Sequence, residues 1–146
     1  MYHYTGCGLP YVWLIDGYKE RDAPHGVAIQ YLDGLHCAIG REITFTGRPL
    51  SGDEVRFLRA ELEWSQGKFA DALGVKEVTV RKWEAGGCRY GPAVRLICAL
   101  YREHAGGDSN IRRFVDRLTR LDPAASPDRL CFCLTKWGWE KTRTPA

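Results

Sequence analysis

The stretch from Ser65 to Glu84 constrains the fold of this chain more than any other. Ser65 suits an N-cap, because its side-chain oxygen can accept a hydrogen bond from a first-turn amide. Phe69, Ala70 and Leu73 then recur at helical spacing, so Gln66 to Leu73 reads as a short helix. Gly74 ends it, at a turn where positive φ is easiest for glycine. A second helix is expected from Lys76 to about Glu84, with Val75, Val80 and Trp83 pointing inward, and Gly86-Gly87 stops it. The small Ala70 lets the two helices approach closely. Phe69, Leu73, Val75, Val80 and Trp83 make one joint core, and the pair has helix-turn-helix geometry.

The flanks continue in the same style. Ser51-Gly52-Asp53-Glu54 has capping-box spacing, and Val55, Leu58 and Leu62 follow on one helical face with Phe57 beside them. Pro92 fits the first turn of a last helix, whose apolar side is expected from Val94, Leu96, Ile97, Leu100 and Tyr101, with Cys98 in the core. Once the inner face of the second helix is assigned, its outward residues follow by periodicity: Lys76, Glu77, Val78, Thr79, Arg81 and Lys82. In a helix-turn-helix such side chains enter the major groove of DNA. Lys76, Arg81 and Lys82 suit phosphates or guanine O6 and N7, Val78 and the Thr79 methyl suit a thymine methyl, and Glu77 suits cytosine N4 or a neighbouring Arg. Ser65 and Gln66 can reach a phosphate at the start of the supporting helix, and Arg89 and Tyr90 read as phosphate clamps in the loop beyond.

Before this region, Tyr11-Val12-Trp13-Leu14-Ile15 is β-prone, Asp16-Gly17 gives a hairpin-type turn signal, and Ala23-Pro24-His25-Gly26 gives a second turn. Val27 to Tyr31 reads as another strand. Asp33 can cap a helix with Leu35, Ile39 and Ile43 on one face, and Gly47-Arg48-Pro49 reads as a break and short linker. After it, Ile111, Phe114, Leu118 and Leu121 are spaced for an amphipathic helix capped by Asp108 or Ser109. Asp122-Pro123 and Ser126-Pro127 separate that helix from the alternating run Leu130 to Leu134, which leads to Trp137, Trp139 and a basic tail of Lys141 and Arg143. The expected fold is α+β, mainly α. A small β/α unit over 1–48 precedes a four- to five-helix domain over 50–104, and 105–146 adds a helix, a strand and a tail.

A chain of 146 residues with 45% hydrophobic and 27% charged residues has the makings of a packed core. Its net charge of +3 says little about nucleic acid, so local clustering has to carry that argument. No apolar run approaches the roughly 20 residues that span a bilayer, and the start lacks a basic, then apolar, leader pattern. A cytoplasmic protein is expected, with its six cysteines (Cys7, Cys37, Cys88, Cys98, Cys131 and Cys133) mostly free and none in a Cys-x-x-Cys pair. Cys88 reads as an exposed loop residue without nucleophile character. Cys131 and Cys133 read as small, half-buried strand residues rather than a metal or redox pair, and Trp137-Gly138-Trp139 as apolar cover or a dimer contact. His3, His25, His36 and His104 show no catalytic spacing, and no carboxylate cluster appears, so an enzyme is not expected.

With Ser65-Gln66, Phe69-Ala70, Leu73-Gly74-Val75, Thr79-Val80 and Trp83-Glu84 in view, residues 50–101 resemble the lambda-repressor/Cro-like (Xre) class. More narrowly, the chain resembles the MqsA (YgiT-type) antitoxin family, through Leu50 to Arg59, Gly91-Pro92-Ala93, Cys7-Gly8, Val12-Trp13-Leu14 and Gly17-Tyr18. In that family a zinc-ribbon-like region precedes the helical domain. The resemblance implies a dimeric repressor on a palindromic operator, nucleoid-associated, as a stand-alone regulator or as the antitoxin of a type II toxin–antitoxin pair. The alternative it leaves open is a protein-interaction module that neutralises a toxin with weak or no DNA binding.

Two departures from the family pattern stand out. Val78 occupies a position where relatives commonly carry Gln or Asn, so base preference should not be borrowed from them. The two metal knuckles are reduced to Tyr4-x-x-Cys7 and Cys37. His3 and His36 could complete a Cys2His2 set, but adjacent His36 and Cys37 are awkward joint ligands. No metal or other cofactor is expected.

Overall fold

The computed structural model describes residues 1–21, 26–106 and 128–143, which divide into two compact units. The architecture is α+β with five helices among the described residues, as the sequence led one to expect. The expected helix between Asp108 and Leu121, and the turns at Pro24, Asp122-Pro123 and Ser126-Pro127, fall outside the described residues. None of the described helices is long and apolar enough to cross a membrane.

The first unit joins the two ends of the chain. Its mixed sheet has the order β1 (Tyr2–His3), β2 (Val12–Leu14), β5 (Leu130–Thr135), β6 (Gly138–Thr142). The outer pairs are antiparallel, whereas β2 and β5 run parallel, with Val12 opposite Leu130 and Leu14 opposite Phe132. Val12, Leu14, Leu130 and Phe132 are all buried in consequence. A separate hairpin pairs β3 (Tyr18–Glu20) with β4 (Val27–Ile29). The described part of the hairpin ends where the Arg21 amide donates to the Gly26 carbonyl at 2.9 Å. Asp16-Gly17 instead links two sheets, and the Asp16 carboxylate accepts a hydrogen bond from the Leu134 amide, on the part of β5 beyond its pairing with β2. Trp139 is buried, and its indole N–H donates to the carbonyls of Gln30 and Tyr31 at 3.0 and 3.1 Å. Trp137, at the β5–β6 turn, is 82% exposed.

Helix α1 (Leu32–Phe45) has Leu35, Ile39 and Ile43 buried along one face, as their spacing predicts. Asp33 is not its cap. It stands inside the first turn, where its charge still favours the positive end of the helix dipole.

The second unit, residues 40–125, holds Gly40 to Phe45 of α1 together with α2 (Gly52–Glu61), α3 (Gln66–Leu73), α4 (Glu77–Gly86) and α5 (Gly91–His104). Its core is Ile43, Leu50, Val55, Phe57, Leu58, Leu62, Phe69, Ala70, Val80, Val94, Ile97, Cys98 and Tyr101. At Gly40 a Cβ would stand 2.1 Å from the Tyr101 hydroxyl, so only glycine lets α5 come this close to α1.

Three expectations are corrected here. Leu96 is 41% exposed because it lies one residue off the buried stripe of Val94, Ile97, Cys98 and Tyr101. Cys88 is fully buried, since its backbone forms a two-way bridge with Leu50 that draws the loop against the core. Arg48 is 3% exposed rather than a solvated linker residue, because its guanidinium is clamped on Glu54.

Burial also governs the thiols. Desolvation pushes Cys98 up to about 12, with the nearby Arg102 only partly opposing it, and burial raises Cys88 as well. An acid whose folded pKa is raised stabilises the fold below its unfolded pKa, and that contribution is lost as pH climbs. Unfolding midpoints are therefore expected to fall between pH 9.0 and about 12, and a Cys98→Ala variant should show a shallower fall. Thiol titration at pH 8 should find Cys88, Cys98 and Cys131 unreactive until the chain is unfolded.

Candidate nucleic-acid interface

The pair α3–α4 owes its geometry to local chemistry. Ser65 is extended and its side-chain oxygen accepts from the Lys68 amide at 3.1 Å, which starts α3. Gly74 caps α3 in the left-handed region at φ 68°, ψ 29°, a conformation that costs other residues a steric clash. Lys76 is the extended N-cap of α4, so the helix begins at Glu77, one residue later than its periodicity suggested. Val80 and Glu84 face the core, with Trp83 and Thr79 half-buried beside them.

What remains outward on α4 is a stripe of Glu77, Val78, Arg81 and Lys82, all exposed. Val78 keeps 46% of its surface in solvent, an apolar spot within a charged face. Arg81 Nη2 lies 3.3 Å from Glu77 Oε1, one helical turn away, with both side chains about half exposed. Ser65 and Lys76 are exposed, and so are Arg89 and Tyr90 in the loop before α5. Thr79 presents only part of its surface. Gln66 differs more from expectation: it is half-buried, and its side-chain N–H donates to Glu84 Oε2 at 2.6 Å.

That bond belongs to a network which the sequence did not reveal. Glu84 is 7% exposed; its other oxygen accepts from Arg59 Nε at 2.5 Å, and Arg59 in turn donates to the Trp64 carbonyl at 2.9 Å. One carboxylate thus ties α2, α3 and α4 together behind the exposed stripe. The signal was available, since Glu84 follows Val80 by four residues on the buried face. Lys68 lies over the Trp64 ring at 5.2 Å, adding a cation at the start of α3.

Tyr4 and the two histidines near the reduced metal knuckles have other partners. His36 Nε2 and the Tyr4 hydroxyl share a hydrogen bond of 2.9 Å, and His3 Nε2 is 2.8 Å from the Pro10 carbonyl oxygen. His3 also stacks on Trp13, with ring centroids 4.4 Å apart. Among the described residues no three His, Cys, Asp or Glu side chains come together as a metal site.

Geometry and comparison agree on the class. Residues 55–100 match the family model described as Helix-turn-helix. This part of the chain is thus similar to helix-turn-helix domains, an architecture known for laying its second helix in the major groove. No curated protein and no solved structure matches the chain.

Proposed function

We propose that this protein is a sequence-specific DNA-binding transcriptional regulator that reads its operator with α4. The observation behind this is the stripe of Val78, Arg81 and Lys82, held outward by a buried carboxylate at Glu84. Affinity would come from phosphate contacts by Ser65, Lys76, Lys82, Arg89 and Tyr90, and sequence preference from Glu77, Val78, Thr79 and Arg81. Gln66 serves less as a phosphate donor than as a strut, because Glu84 already engages its amide. By the resemblance to repressors of this type, the active form is a homodimer on a palindromic operator, working in the cytoplasm at the nucleoid.

Selection of bound duplexes from a random pool would supply the operator. On it, Arg81→Ala is expected to cost about 1–3 kcal/mol, as for a lost guanine contact, and to relax preference at one base position. Lys82→Ala should weaken all duplexes alike and lower the salt slope by about 1, as for a lost phosphate contact. If both variants bind the selected operator as tightly as wild type, α4 is not the reading helix.

A second reading draws on the first unit, where Tyr31 and Trp137 are 75% and 82% exposed. Aromatic residues are enriched in protein-binding surfaces. On this reading the first unit of an antitoxin holds its toxin. Co-purification of a small protein encoded beside this chain, lost in Trp137→Ala, would support it.

A further inference from the structure

The sheet of the first unit ends on one side in β1, two residues long, and on the other in β6, with five. Hydrogen bonds across the sheet fix which way the backbone of β6 turns. The Leu130 amide donates to the Tyr11 carbonyl, the Phe132 carbonyl accepts from the Ile15 amide, and the Leu134 amide donates to Asp16. These alternate residues of β5 address β2. Cys131, Cys133 and Thr135 therefore address β6, through their partners Thr142, Glu140 and Gly138. Trp139 and Lys141, which alternate with those partners, aim their N–H and C=O groups at the outer edge. Among the described residues no further strand lies beyond them.

Side chains set what this edge accepts. Trp137, where the edge begins, is 82% exposed. Of the charged residues from 136 to 143, Lys136, Lys141 and Arg143 are basic and Glu140 is acidic, and all four are exposed. A second copy of this chain fits poorly. A symmetric antiparallel pairing that used all five residues of β6 would set Glu140 opposite its own copy, at the closer, non-bonded spacing. Centring the pairing on Lys141 would oppose two lysines instead.

We infer that the β6 edge takes up an extended, acidic segment of a partner protein as an added strand. Main-chain bonds to Trp139 and Lys141 supply affinity, Lys141 and Arg143 favour acidic side chains, and Trp137 anchors an apolar one. The inference rests on the protein-binding reading above and gives it a surface and a partner chemistry. It is independent of DNA binding by α4.

Selection on the full chain from a displayed library of short random peptides would test it. Peptides in which acidic residues alternate with apolar ones should be enriched. Synthetic copies N-methylated at every second residue should bind about 10-fold more weakly in one phase of the alternation and almost unchanged in the other, because only one set of amides faces β6. Lys141→Pro removes an outward N–H, spares the β5 ladder and should cost about as much; the peptide test stands whether or not that variant folds. Lys141→Glu should weaken binding about 2- to 5-fold, and a peptide with the facing acid changed to lysine should recover it.

Peptides that bind equally well in both methylation phases would overturn the edge while leaving protein binding by this unit in place. A concentration-dependent dimer, lost in Lys141→Pro, would give the edge to a second copy and overturn the acidic partner. Failure to enrich any peptide would overturn the inference. The absence of a co-purifying partner as well would take the protein-binding reading with it.

Discussion

Glu54→Gln is expected to lower the unfolding free energy of the helical unit by about 3–5 kcal/mol, seen as a lower urea midpoint. Glu54 is fully buried, and its two oxygens take the two arms of the Arg48 guanidinium, itself 3% exposed. Oε2 also accepts from the Ser51 amide at 2.9 Å, closing the capping box of α2. A buried pair of this kind adds little net stability, because desolvation offsets the attraction. Removing one member is another matter, since it strands the other charge in the core. The double variant Arg48→Met with Glu54→Leu should therefore recover most of the loss. It should not recover all of it: the reciprocal cap is gone, and a lost cap costs about 1 kcal/mol. Equal losses in the single and double variants would show that the stranded charge is not the cause.

Gly52→Ala is expected to be nearly as damaging, despite adding a single methyl group. At this first residue of α2 a Cβ would lie 2.1 Å from the carbonyl oxygen of Glu84 and 2.7 Å from its carbon. Both are backbone atoms of α4, so no side chain can swing aside and the helices must separate. Overpacking typically costs about 1–3 kcal/mol, and a backbone clash belongs at or above the upper end. Because Glu84 also bonds Arg59 and Gln66, the shift should pass to the exposed stripe of α4. Operator affinity should fall even under conditions where the variant stays folded. Gly86→Ala is the matched control: nothing lies within 4 Å of its added Cβ, so it should be neutral or slightly stabilising in both assays.

The helical unit was readable because its signals are local. Ser51 and Glu54, Ser65, and Gly74 each specify a helix end within a few residues, and the structure places all of them in those roles. The buried charges were harder. Glu54 announced itself only as a cap and Arg48 only as part of a linker, while Glu84 entered only through the Trp83-Glu84 pair of the family resemblance. Their burial depends on partners six residues away in one case, and 18 and 25 residues away in the other. Cys88 misled for a similar reason, because its bridge to Leu50 joins two loops with no pattern of their own. The pairing of β2 with β5 is the extreme case. Strand propensity marked both Val12–Leu14 and Leu130–Leu134, but it says nothing of which strands meet. As for the interface, periodicity found the outward residues of α4, whereas the inward engagement of Gln66 needed Glu84 to be located first.

The parallel pairing of β2 with β5 also sets an order of events during synthesis. Val12–Leu14 leaves the ribosome early, but its central partner, Leu130–Phe132, is not yet made. By then α2 to α5, whose contacts are local, have all been translated and are free to pack. The helical unit is thus positioned to mature first, and the sheet closes afterwards around a strand that has waited for more than a hundred residues. A transcript truncated shortly after His104 would encode α1 to α5 with an orphaned strand at their start. Such a product should hold its helices while exposing Val12 and Leu14 to aggregation.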